Sequence, residues 1–149
     1  MPVSPAFAES NRLQTERLRS LVARLDGPML ATRLPNGWSV AVALAHLAFW
    51  DRQRLCLMRR WAAGEDCTGM YAGNVFNDAM QPLLELISPE SVPALALRAA
   101  EEIDALLLEL PDEVIEAALA RPDAPNLDRG SHRIDHLDVI ESALANART

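Results

Sequence analysis

The segment from Val40 to Trp50 constrains the fold of this chain more than any other segment. It is apolar nearly all round when drawn as a helix, and a helix of that kind is buried on every side. Ser39 precedes it as a natural N-cap, and Gly64 follows the region near Ala62 where the helix is expected to end. We therefore expect this second helix to be the most buried helix of the fold.

Helical periodicity dominates the rest of the sequence, and the alternation typical of strands is nearly absent. We predict helices over residues 6–25, 74–87, 91–110, 111–120 and 131–146, with Asp26-Gly27-Pro28 ending the first and Pro82 bending the 74–87 helix. Four long helices with one or two short accessory ones make an all-α four-helix bundle the simplest architecture. The length of 149 residues indicates a single domain, 1–149.

Composition argues against several classes of partner. The formal net charge is −7 and the basic residues are scattered, which disfavours nucleic-acid binding. No stretch approaches the roughly 18 apolar residues of a membrane span, and the first ten residues lack the basic start and apolar run of a signal peptide. Cys56 and Cys67 show no close pairing, as in a reducing compartment. We expect a cytoplasmic protein with a small-molecule substrate, no nucleic acid and no membrane.

The three histidines of the chain are the candidates for chemistry. His132 and His136 are four residues apart, so they lie on one face of the last helix, on an apolar stripe that faces inward. His46 lies on an inward face of the second helix. A third imidazole from a facing helix would complete a three-nitrogen cap on a divalent ion and leave positions open. Neutral imidazoles suit zinc, nickel, iron or copper.

The positions of these histidines along their helices predict a topology. His46 lies about 10 Å into its helix, and the His132/His136 pair lies within about the first 8 Å of the last helix. We expect the three to meet only if these two helices are parallel, as the second and fourth helices of an up-down-up-down bundle are. The alternative is that the histidines are hydrogen-bonded core residues that bind no metal.

Several neighbours could complete such a site. Trp50 lies one turn past His46 and could form a wall of the pocket, whereas its other role is packing. Asn77 could reach the open metal position or cap a turn. Asp135 is one of four nearby acidic residues that could accept the second N–H of a ligating imidazole or lie on a solvated face; the others are Asp51, Asp138 and Glu141.

The two cysteines are less suitable as ligands. Cys56 lies ten residues beyond His46, about 15 Å along the same helix, so it cannot share that metal. We predict that it is a small buried apolar side chain. Cys67 lies in the irregular segment 64–73 and could be exposed, reactive or neither. Lysine is absent from the chain, which excludes a lysine Schiff base.

Three segments resemble the motifs of the DinB-like superfamily. The first is Gly37-Trp38-Ser39-Val40 with Leu44-Ala45-His46-Leu47-Ala48-Phe49-Trp50-Asp51-Arg52, and the second is Asn74-Val75-Phe76-Asn77. The third is His132-Arg133-Ile134-Asp135-His136-Leu137-Asp138-Val139-Ile140. Their order and spacing agree with that superfamily, which includes mycothiol- and bacillithiol-dependent enzymes such as maleylpyruvate isomerase.

This resemblance implies a DinB-like four-helix bundle, often dimeric, in which the three histidines hold zinc or nickel. It further implies a metal-dependent S-transferase or isomerase that uses a low-molecular-weight thiol and forms a homodimer. Two alternatives stay open: a non-catalytic, stress-associated metal-binding bundle, and a metal-dependent hydrolase that uses the open coordination position. The sequence assigns no catalytic residue, because fold and metal do not determine the reaction.

Overall fold

The computed structural model describes residues 5–69 and 73–148, which form helices and no strand. Of the described residues, 72% are helical, and the all-α prediction is confirmed. Three shorter helices, rather than one or two, accompany the four longest in this part of the chain. The helices are α1 Ala8–Val22, α2 Gly27–Ala31, α3 Val40–Ala62, α4 Gly73–Leu84, α5 Val92–Glu109, α6 Asp112–Leu119 and α7 Arg129–Asn146. In the part of the chain that the structure describes, every helix is too short or too polar to span a membrane.

Local capping determines where α2 and α3 begin. The Ser39 hydroxyl accepts a hydrogen bond from the Val42 N–H at 3.1 Å, which confirms the predicted N-cap of α3. Asp26 does not end the first helix as predicted, because α1 already ends at Val22. Its carboxylate instead accepts the Met29 N–H at 2.9 Å and caps α2, with Pro28 in the first turn, where a missing N–H costs nothing.

The four long helices form a closed ring, in which α3 packs against α5, α5 against α1, α1 against α7, and α7 against α3. Ion pairs and hydrogen bonds between the helices show the directions in which they run. Arg19 pairs with Glu101 while Thr15 bonds Asp104, so α1 and α5 are antiparallel. Asn11 bonds the Gly130 N–H and Arg17 pairs with Glu141, so α1 and α7 are parallel.

Helices α3 and α7 are antiparallel, so the predicted parallel arrangement is wrong. Asp51 contacts Arg129, His46 contacts His132, and Trp38 stacks near His136, so the order along one helix reverses along the other. The prediction assumed that the helices begin at a common level. In the structure α7 begins beside the middle of the 23-residue α3 and runs towards its N-terminus. The histidines therefore meet although the helices run in opposite directions.

A polar layer crosses the bundle and separates two apolar cores. One core contains the N-terminal halves of α3 and α5, and the other contains their C-terminal halves with α6 and Leu127. Each long helix contributes polar side chains to the layer between them. These side chains are Asn11 and Thr15 of α1, Asp51 of α3, Asp104 of α5, and Arg129 and Arg133 of α7.

Helices α1 and α7 pack closely at a glycine. A Cβ atom added to Gly130 would lie 2.1 Å from the Ser10 hydroxyl oxygen and 2.6 Å from its backbone, so α1 and α7 are in close contact there.

Helix α3 is followed by Gly64, whose φ of +80° favours glycine. Cys56 is exposed, not buried as predicted, because it lies on the same outer face of α3 as Arg52 and Arg59.

Candidate metal centre

The three histidines lie together between α3 and α7. Each ring offers one nitrogen, and these three nitrogens all lie within 4.8 Å of one another. The Nε2 atoms of His46 and His132 are 3.3 Å apart, and the ring centroid of His136 is 4.6 Å from that of His46. His46 is buried and the other two are half-buried. The convergence predicted from the sequence is therefore present.

The spacing of the two facing nitrogens suits a metal ion. Two nitrogens that each bind zinc at 2.0–2.1 Å with a tetrahedral angle lie about 3.3 Å apart, and this is the distance between His46 and His132. The Nδ1 atom of His46 is buried without a hydrogen-bond partner in the described part of the chain. An ion held by Nε2 would leave this Nδ1 atom without a partner, so the Nε2 spacing is the observation that indicates a metal. The donor set therefore fits a divalent ion.

Burial keeps these imidazoles neutral, which is the form that binds metal. Burial lowers the pKa of His46 from 6.5 to about 4, and the charges of His136 and Arg129 add to the effect. Burial also lowers the pKa of His132 to about 2, with Arg129 as the next cause. The pKa of His136 is lowered by burial and partly restored by the charge of Asp135.

Two arginines that the sequence analysis missed lie beside the histidines on α7. Arg129 and Arg133 are 1% and 0% exposed. Asp51, itself 1% exposed, bonds both: Oδ1 accepts from Arg129 Nε at 2.8 Å, and Oδ2 accepts from Arg133 Nη2 at 3.1 Å. The signal was present, because Arg129 and Arg133 repeat the four-residue spacing of the histidines. Arginine is nevertheless rarely buried unless paired, and its partners lie far away in sequence.

Arg129 contacts a candidate metal ligand directly. Its Nη2 atom lies 3.0 Å from Nδ1 of His132. Guanidinium groups only donate hydrogen bonds, so Nδ1 must be the acceptor and carries no proton. The Nε2–H of the neutral His132 ring then donates to Nε2 of His46. The protein thus holds His132 in one defined tautomer.

A cavity of about 220 Å³ opens beside His46 and His132. Trp50 and Asn77, both predicted pocket residues, line it, and the indole N–H of Trp50 donates to Oδ1 of Asn77 at 2.9 Å. Because the indole N–H can only donate, this bond fixes which end of the amide is the oxygen. The NH2 group of Asn77 stays available to donate to a ligand. The cavity is also lined by Arg54, Gly73, Asn74, Asn126 and Arg129.

The predicted acidic neighbours are placed differently. Asp135 is exposed and acts on His136 through its charge, while Asp138 and Glu141 pair with Arg17 on the surface of α1. Asp51 was predicted either to support an imidazole or to lie on a solvated face. It does neither directly, since both its oxygens bind arginines. Cys67 is half-buried. Within its predicted loop, 64–73, residues 70–72 lie outside the described residues.

Comparison with known protein families agrees with the motifs. The family model of the mycothiol maleylpyruvate isomerase N-terminal domain matches residues 12–147. No curated protein and no solved structure matches the chain. Because the match spans nearly the whole sequence, the chain belongs to this family, and the DinB-like resemblance is confirmed.

Proposed function

We propose that this member of the mycothiol maleylpyruvate isomerase N-terminal domain family binds a divalent metal through His46, His132 and His136 and carries out thiol-dependent S-transfer or isomerisation. Zinc or nickel is the proposed metal, and a low-molecular-weight thiol such as mycothiol is the proposed co-substrate. The observation that carries the proposal is the convergence of three neutral imidazoles, two of them at the nitrogen spacing of a tetrahedral ion.

A bound divalent ion would lower the pKa of a coordinated thiol or water and polarise a carbonyl. The chain itself supplies orientation. Asn74, Asn77 and Asn126 bring amide groups to the cavity, and Arg54 brings a positive charge. The amide NH2 of Asn77 is held ready to donate to a ligand by its bond with Trp50.

The cavity favours an external nucleophile. Among the described residues that line it, none is a cysteine, serine, threonine, aspartate or glutamate. Cys56 lines a different depression beside Arg59, Arg60 and Glu65. A thiol bound from solution would supply the missing nucleophile, and so would a metal-bound water. The family match is the reason to prefer the thiol.

The openness of the site favours catalysis over a purely structural metal. A structural site is closed by protein ligands, and the non-catalytic alternative predicts that Trp50 and apolar neighbours seal the histidines. Trp50 does cover one side, but the adjoining cavity carries amide and guanidinium groups. Concave sites with a few convergent polar groups are typical of ligand binding.

Metal content tests the metal part of the proposal. Elemental analysis of the protein purified without added ions should give about one zinc or nickel per chain. His132→Ala and His136→Ala should each abolish stoichiometric binding, and Cys56→Ser is the matched control because that side chain is exposed and distant from the cluster. Full metal content in either histidine variant would refute the site.

Thiol chemistry is tested separately on the metal-loaded protein. A transfer assay with mycothiol, bacillithiol and glutathione, each with a panel of electrophiles and cis-unsaturated acids, should show turnover that depends on one thiol. The same assay with His132→Ala should show none. Stoichiometric metal with no turnover under any thiol would favour the non-catalytic alternative, and turnover with water alone would favour the hydrolase.

A further inference from the structure

The hydrogen bond between Arg129 and His132 conflicts with ordinary metal coordination by His132. A neutral imidazole that binds a metal through Nε2 carries its proton on Nδ1, and that N–H usually donates to a carboxylate or carbonyl. Here Nδ1 faces the guanidinium of Arg129 at 3.0 Å, and the guanidinium has no acceptor to offer. The two arrangements exclude one another.

The atom that faces the centre of the cluster is Nε2. It lies 3.3 Å from Nε2 of His46, whereas Nδ1 points to Arg129. Coordination through Nε2 therefore places an N–H of His132 against an N–H of Arg129. The guanidinium must leave before that arrangement can form.

Arg129 is firmly held where it is. It is 1% exposed, and its Nε and Nη1 atoms donate to Asp51 at 2.8 Å and to the Asn126 carbonyl at 3.2 Å. Moving it disturbs a buried ion pair. The metal-free arrangement is thus stabilised by contacts that metal binding must break.

We propose that Arg129 is a positioning residue that opposes metal binding: it holds His132 in the tautomer whose Nε2–H closes the cluster onto His46, and its release accompanies metal binding. The proposal rests on the three-histidine metal site proposed above. It assigns Arg129 a role opposite to that of the usual partner of a metal-bound histidine, whose removal weakens metal affinity about 10–100-fold.

Zinc affinity measured by competition with a chromophoric chelator tests the sign of the effect. Arg129→Gln offers an amide oxygen that can accept the Nδ1–H of His132. This variant should bind zinc about tenfold more tightly than the unchanged protein, whereas replacing the usual partner of a metal-bound histidine weakens binding. Arg54→Gln is the matched control: it removes a positive charge that lines the same cavity but leaves the Arg129–His132 bond intact. It should change zinc affinity by clearly less.

Weaker zinc binding by Arg129→Gln than by the unchanged protein would overturn the inference while leaving the metal site standing. An equal gain in both variants would also overturn it, because a general charge effect would explain the gain. If neither the unchanged protein nor any variant binds zinc, the proposed metal site is wrong, and this inference is wrong with it.

A measurement on the unchanged protein tests the same proposal without relying on the folding of a variant. Long-range ¹H–¹⁵N NMR spectra distinguish the two imidazole tautomers. In chelator-treated protein His132 should be protonated at Nε2, and stoichiometric zinc should move the proton to Nδ1 and shift the Arg129 side-chain resonances. A ring already protonated at Nδ1 without metal, or unchanged Arg129 resonances on zinc addition, would refute the proposal.

Discussion

Replacing Asp51 by asparagine should strongly destabilise the bundle. The carboxylate is 1% exposed and accepts from Arg129 Nε at 2.8 Å and from Arg133 Nε and Nη2 at 3.2 and 3.1 Å. Asparagine has nearly the same shape but no charge, and its NH2 group would face one of the two guanidiniums. The packing is preserved while the charge compensation is lost.

Asp51→Asn removes the paired carboxylate of Arg129 but leaves Arg133 with a second one. Arg133 retains Asp104, which accepts from its Nη1 and Nη2 atoms at 3.1 and 3.0 Å. Arg129 retains hydrogen bonds to the Asn126 carbonyl and His132 but no carboxylate among the described residues. Breaking a buried ion pair from one side costs about 3–5 kcal/mol. In a domain of this length that lowers the Tm by about 6–20 °C.

Urea denaturation followed by circular dichroism measures this loss directly, with chelator present so that bound metal does not contribute. Asp104→Asn is the matched control, since its side chain is 17% exposed and Arg133 would keep Asp51. It should lose clearly less free energy of unfolding than Asp51→Asn. A loss below about 1 kcal/mol for Asp51→Asn, typical of a surface substitution, or a larger loss for Asp104→Asn would refute the reasoning.

Three further predictions concern packing, pH and assembly. Gly130→Ala should cost at least about 1–3 kcal/mol in urea denaturation, because its Cβ would overlap Ser10, whereas Gly27→Ala, with nothing within 4 Å, should change stability little. The metal-free protein should lose stability as the pH falls from about 6.5 towards 4, because in that range His46 takes up a proton only in the unfolded chain. If the Tm of His46→Gln fell as steeply with pH as that of the unchanged protein, this explanation would be contradicted. Light scattering should give twice the 16.4 kDa chain mass if the homodimer implied by the family forms, and the single-chain mass would contradict it.

Local signals predicted most of the helices. Ser39 caps α3 through a hydrogen bond within one turn, and the apolar segment that follows is buried as its composition requires. The convergence of the histidines was also predictable, because His132 and His136 share a helix face. The same kind of signal identifies α2, since Asp26 followed by Pro28 is typical of a helix start. The prediction assigned this segment only to the end of α1, so it did not include α2.

Features that depend on distant pairs were not predictable in the same way. The direction of α7 against α3 depends on how far the helices are offset, and periodicity carries no information about offset. The burial of Arg133 depends on Asp51 and Asp104, which lie 82 and 29 residues away in sequence. Cys56 was predicted to be buried from the general behaviour of cysteine, although Arg52 and Arg59 on the same helical face indicated solvent.

The buried ion pairs and the histidine cluster are two consequences of one helix register. Asp51 can satisfy both Arg129 and Arg133 only when α7 lies at its observed height beside α3. A slip of one helical turn would move α7 by about 5.4 Å, which would separate the arginines from the carboxylate. The same slip would carry His132 away from His46, whose facing nitrogens are now 3.3 Å apart. Because an unpaired buried charge costs several kcal/mol, the polar layer excludes the slipped register, and the register that remains is the one that assembles the three imidazoles.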